Sequence, residues 1–302
     1  MDLRGAASDL RVWIAGALVL ALLSGTIDAP FSSLIVIALM IQMALSMDGL
    51  KLSPGDLAEN KRAAIRSLVM CYVINTAVTL GIGSVFLFGY ETMWHGWVLL
   101  ASMPCAISVV TAAILVKGDL NAAVIAVAAT YIAGLLLTPL ISFIFLGNAV
   151  SPAEIFKYII LFIAIPAAAS VPLGKLHLSR NVKVPVINFM MALILFLSVN
   201  SNRGYIIAYP LAIAAVLIAA AARLGLLSVI SKKLNRIAGI EGRSSAVYLV
   251  MCVWKNTGLS ISMCMVLLAD TPESVIPCFV CMIIESLWFS IVTKEPRPDH
   301  SK

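Results

Sequence analysis

Ten apolar runs, each close to the length of a bilayer crossing, dominate the 302-residue chain. A helix rises about 1.5 Å per residue, so roughly 20 apolar residues cover a hydrocarbon core of about 30 Å. The runs fall near 11–27, 30–49, 63–89, 94–116, 121–147, 153–174, 184–200, 205–230, 244–268 and 273–293. Little chain is left for a separate soluble domain. The sequence is 61% hydrophobic and only 12% charged, which excludes a disordered chain, a secreted disulfide scaffold and an ordinary soluble enzyme. The expected fold is all-α: one integral membrane domain over 1–302, with ten transmembrane helices.

The net charge of +6 does not read as a nucleic-acid stripe, because the basic residues sit in short loops between apolar runs. Their distribution is lopsided. Of the 21 lysines and arginines, only Lys157 and Arg203 fall on one side of a ten-span arrangement, and Lys255 falls on neither. Arg223 is assigned near the basic face. Basic loops mark the cytoplasmic side, so both termini are expected in the cytoplasm and the chain in the cell membrane, in contact with lipid. The first run follows Arg4 and Arg11 as a signal peptide would, but a small-residue cleavage site is missing before Pro30, so it reads as a retained helix. The six cysteines all lie within apolar runs and read as packing residues rather than a disulfide or metal set.

The runs divide into two sets of five, about 11–147 and 153–293, and in each set the fourth is interrupted. An offset of half the chain sets Pro104 on Lys255 and Cys105 on Asn256. The first interruption is Ser102-Met103-Pro104-Cys105, where Pro104 removes a backbone donor. The second is Lys255-Asn256-Thr257-Gly258, the most polar tetrapeptide inside any run. Five spans is an odd number, so the second set enters the membrane from the opposite side. The expectation is an inverted repeat with helices 4 and 9 broken, an arrangement that places substrate or ion sites at the crossing.

Lys255 lies too deep in its run to snorkel, and a lysine at a helix centre costs at least ~2.5–3.5 kcal/mol on insertion scales. It therefore needs a partner or a water-filled cavity. Glu285, the only acid well inside an apolar run, is the natural candidate for a Lys255–Glu285 pair. Asn256, Thr257, Ser108, Thr111 and Asn75 complete the polar set expected at the site, with Pro104 and Cys105 at the first break. Gln42 and Asn188 could line a cavity. No HExxH, paired intramembrane aspartates or phosphate loop is present, so an enzyme is not expected.

These residues resemble the bile acid:sodium symporter family. The stretch Gly49-Leu50-Lys51-Leu52-Ser53-Pro54-Gly55-Asp56 is similar to that family's G-L-x-L-x-P-x-D, and Leu136-Leu137-Thr138-Pro139 to its L-L-T-P. Pro104 followed by Lys117-Gly118-Asp119, and Asn256-Thr257-Gly258-Leu259, match further motifs in order. The resemblance implies a panel of spans one, two, six and seven that moves against a core of the other six, with substrate between them. It also implies two sodium sites, whose ligand positions fall here on Val109, Val110, Ala123, Val127, Met251 and Lys255, with only Asn75 retained as an amide near the span-three position. Apolar side chains supply no oxygen to sodium. The expectation is a secondary transporter for a small organic anion, independent of sodium and without a cofactor, with Lys255 as surrogate cation or proton-coupling group. Pro104-Cys105 is also similar to the Pro-Cys of arsenite permeases, so an arsenite- or metabolite-efflux carrier is an alternative, as is a non-transporting membrane sensor or scaffold.

Overall fold

The computed structural model describes residues 9–25, 27–48, 57 and 59–292. The Gly49–Asp56 motif and both termini lie outside the described residues. Among those described, regular structure is helical, with a single isolated β-bridge and no strand.

In chain order the helices are α1 (Leu10–Leu23), α2 (Phe31–Met47), α3 (Lys61–Leu87), α4 (Glu91–Ser102), α5 (Val109–Leu115), α6 (Leu120–Leu146) and α7 (Pro152–Gly174). They continue as α8 (Arg180–Ser201), α9 (Arg203–Ala208), α10 (Pro210–Ile237), α11 (Gly242–Val253), α12 (Thr257–Leu267) and α13 (Ile276–Val292). Six continuous helical stretches are long and apolar enough to cross a membrane, and α1, α2, α11 and α12 are shorter apolar helices. Several long helices turn large apolar side chains outward. On α10, Leu211 is 84% exposed, Ile218 71% and Val229 65%, an arrangement stable only if hydrocarbon replaces water around them. The protein is a polytopic membrane protein.

Helices α1, α2, α7 and α8 pack on one another, with α8 between α1 and α2 and α7 against α2. Around them, α3, α4, α6, α10, α11 and α13 form a second set of mutual contacts, and α12 bridges to α2. Around the two breaks Trp97, Leu99, Met103, Val253 and Met263 are fully buried members of one continuous hydrophobic core.

Local sequence explains the ends. Asp9 caps α1, its carboxylate accepting from the Arg11 backbone N–H at 3.0 Å. That carboxyl is held below the ordinary range, chiefly by the Arg11 side chain hydrogen-bonded to it. Asp119 caps α6 in the same way through Ala122 N–H at 3.1 Å. Helix α3 is not uniform. Its Val69–Asn75 segment widens to a π-helix, a form rare in proteins and common at functional sites.

Candidate functional site: a crossing of two broken helices

Helix α4 ends at Ser102 and α5 begins at Val109; α11 ends at Val253 and α12 begins at Thr257. The extended residues between them meet antiparallel, with Cys105 opposite Lys255. Ala106 N–H donates to Trp254 O at 3.1 Å, and Asn256 N–H to Pro104 O at 2.9 Å. The half-chain offset sets Pro104 on Lys255 in sequence; in space Cys105 is its opposite. The second break is also shorter than the tetrapeptide suggested. Thr257 and Gly258 are already helical, because the Asn256 side chain caps α12 by accepting from Leu259 N–H at 2.9 Å.

A broken helix leaves its last carbonyls without intrahelical donors, and inside a membrane each needs another partner. The end of α4 is fully provided for. Ser102 Oγ donates to Leu99 O, Thr76 Oγ1 to Ala101 O and Thr138 Oγ1 to Ser102 O, at 2.7–2.9 Å. Met103 O accepts from Lys255 Nζ at 2.8 Å. The same ammonium donates to Cys71 O at 2.8 Å, a carbonyl in the π-helical segment, and sits 4.9 Å from the centre of the Tyr72 ring. Lys255 is 1% exposed. Thr76 Oγ1 and Cys71 Sγ are further neighbours, at 3.4 and 3.5 Å.

The Lys255–Glu285 pair expected from sequence does not form. Glu285 accepts from Arg223 Nη1 at 2.8 Å. Arg223 is correspondingly not at the membrane face but fully buried. The reason is the length of α10, which continues beyond the apolar run through Lys232 and Lys233 and so leaves Arg223 near its middle. Asn75 holds the end of α11: its amide nitrogen donates to Cys252 O at 2.6 Å and Val253 O at 3.3 Å. Its oxygen accepts from Thr79 Oγ1 at 2.8 Å and Arg223 Nη2 at 3.2 Å.

A cavity of about 760 Å³ opens beside the crossing, between α2 and α8 on one side and α5, α12 and α13 on the other. Ser108, Thr111, Lys255, Asn256, Thr257 and Glu285 border it, as do Gln42 and Asn188. Pro104, Cys105 and Asn75 do not; they lie behind it, where Cys105 Sγ is 3.1 Å from Thr130 Oγ1. The cavity also meets Trp254, whose indole N–H is buried without a hydrogen-bond partner among the described residues, as is the Gln42 side-chain oxygen. In sequence nothing separates Trp254 from the other aromatic residues of the apolar runs. Asp48 of α2 and Lys183 of α8 form an ion pair at the cavity's edge. Of the positions that the resemblance sets on sodium ligands, Val109, Val110, Ala123, Val127 and Met251 carry apolar side chains, and Val109, Ala123, Val127 and Met251 are buried.

A polytopic helical protein with two broken helices crossing beside a polar-edged cavity has the form of a membrane carrier. The sequence model of the sodium bile acid symporter family matches residues 33–209, more than half of the chain. The chain belongs to that family of membrane transporters. The matched stretch contains the Pro104 break and ends before Arg223, Lys255 and Glu285. No curated protein matches the chain.

Proposed function

We propose that this protein is a secondary transporter for a small organic anion, working without sodium, with Lys255 supplying the positive charge at the crossing. The chain acts as one transporter unit of ten spans in two inverted repeats. The matched positions of the two breaks and their antiparallel contact support this reading. The observation that carries it is the Lys255 ammonium held between Met103 O and Cys71 O, at the C-terminal end of a half-helix, where a cation is favoured. Among the described residues no carboxylate lies within ion-pair distance of it. Lys255 is therefore a surrogate cation stabilised by helix dipoles and carbonyls.

The anion belongs on the cavity side, at the N-terminal end of α12, with the Trp254 indole N–H as an additional donor. Alternation follows from movement of the α1, α2, α7 and α8 group against the remaining helices. The test is uptake of small organic carboxylates and sulfonates into liposomes holding the purified protein, with sodium replaced by choline. Uptake that is saturable in the anion and indifferent to sodium is expected. A saturable sodium requirement would overturn the reading.

A further inference from the structure

Lys255 is not the only cation at a broken-helix end. The guanidinium of Arg223 lies at the end of α11, where four of its five N–H donors are directed at oxygens: Thr79 Oγ1 at 2.7 Å, Glu285 Oε1 at 2.8 Å, Val253 O at 3.1 Å and Asn75 Oδ1 at 3.2 Å. Those oxygens come from three helices, α3, α11 and α13. Val253 is the last residue of α11, so its carbonyl carries part of the negative end of that half-helix. All four contributing residues are buried, and Arg223 is 0% exposed. A bare Arg–Glu pair would need only the carboxylate. Here a helix end, an amide and a hydroxyl also converge, so that a set of oxygen acceptors from three helices surrounds one positive charge.

We propose that the end of α11 is a cation site occupied from within by Arg223, and that with the arginine truncated it takes a soluble guanidinium-type cation. Each broken helix is then closed by a charge of the protein's own: α4 by Lys255 and α11 by Arg223. The inference extends the reading of Lys255 to the second crossing helix, and it rests on that reading only for its meaning in transport. Its test uses binding, so its failure leaves the Lys255 proposal standing.

The alternative is that Arg223 only neutralises Glu285. The decisive variant is Arg223→Ala with Glu285→Gln, which removes both charges and keeps the helix end, Asn75 and Thr79. Thermal melting of the purified double variant is followed as methylguanidinium chloride replaces choline chloride at constant ionic strength. A saturable rise in melting temperature is expected, absent from the unaltered protein. Arg223→Ala alone, which keeps the carboxylate, should respond at a half-saturating concentration lower by at least about tenfold, since a charge-assisted hydrogen bond is worth about 1.5–3 kcal/mol. A folded double variant that ignores methylguanidinium, whatever its melting temperature, overturns the proposal. If the double variant does not fold, a folded Arg223→Ala without a saturable response overturns it as well.

Discussion

Lys255 shows how a single side chain can be conspicuous in sequence while its partners stay hidden. A lysine deep in an apolar run demands an explanation from composition alone. Its partners are two main-chain carbonyls, exposed by a helix break and a π-helical turn, and no residue type marks either of them. In sequence the natural partner for Lys255 is an opposite charge, Glu285, which in the structure pairs with Arg223 instead. The signal for Arg223 was present: it is flanked by Ala219–Ala222 and Leu224–Leu227, while Lys232 and Lys233 mark the true end of the helix. Replacing Lys255 by Met takes the 2.8 Å donor from Met103 O and Cys71 O and leaves them the longer contacts of Cys71 Sγ at 3.9 Å and Thr76 Oγ1 at 3.3 Å, at a cost of up to about 1–3 kcal/mol for each buried group. Lys255→Met should therefore lose anion uptake and melt at a lower temperature, while still reaching the membrane. Lys255→Gln should recover part of the melting temperature, because its amide can donate to one carbonyl, but not the uptake. Full uptake by Lys255→Met at equal expression would reduce the lysine to a structural group.

The elements were legible where composition is abrupt and obscure where geometry decides. Pro104 and the polar tetrapeptide marked both breaks. The ends of α10 did not follow hydropathy, because a helix can run on through basic residues at a membrane edge. Close approaches were equally hidden. Gly96 of α4 lies against the turn before α13 so tightly that a Cβ there would stand 1.8 Å from Ser274 O. That contact is with main chain, which has no rotamer to escape through, and glycine at such a place lets two elements meet. Gly96→Ala should destabilise the protein by at least ~1–3 kcal/mol, the usual range for overpacking. Gly16→Ala on α1 is the control, since nothing lies within 4 Å of a Cβ there. Equal melting temperatures for the two variants would contradict the packing of α4 against that turn.

For the whole molecule, orientation is a proposal drawn from charge, since only Lys157 and Arg203 among the loop cations fall on the side away from the others. Reporter fusions at Lys302 and beside Glu91 should lie on opposite sides of the membrane, the first in the cytoplasm; the same side for both would overturn the ten-span arrangement. The membrane class was written in the apolar runs, whereas the pairing of Cys105 with Lys255 needed three dimensions. A lysine bound to the backbone returns with the protein after every cycle. It crosses no net distance as cargo, so it can do no work on a substrate. An anion carried alone then faces the electrical potential unaided. At 100 mV, negative inside, one charge is worth about 2.3 kcal/mol, which holds the interior concentration about fiftyfold below the exterior at equilibrium. Under the proposed mechanism, such a carrier takes its anion up only while metabolism holds the interior concentration below that ratio.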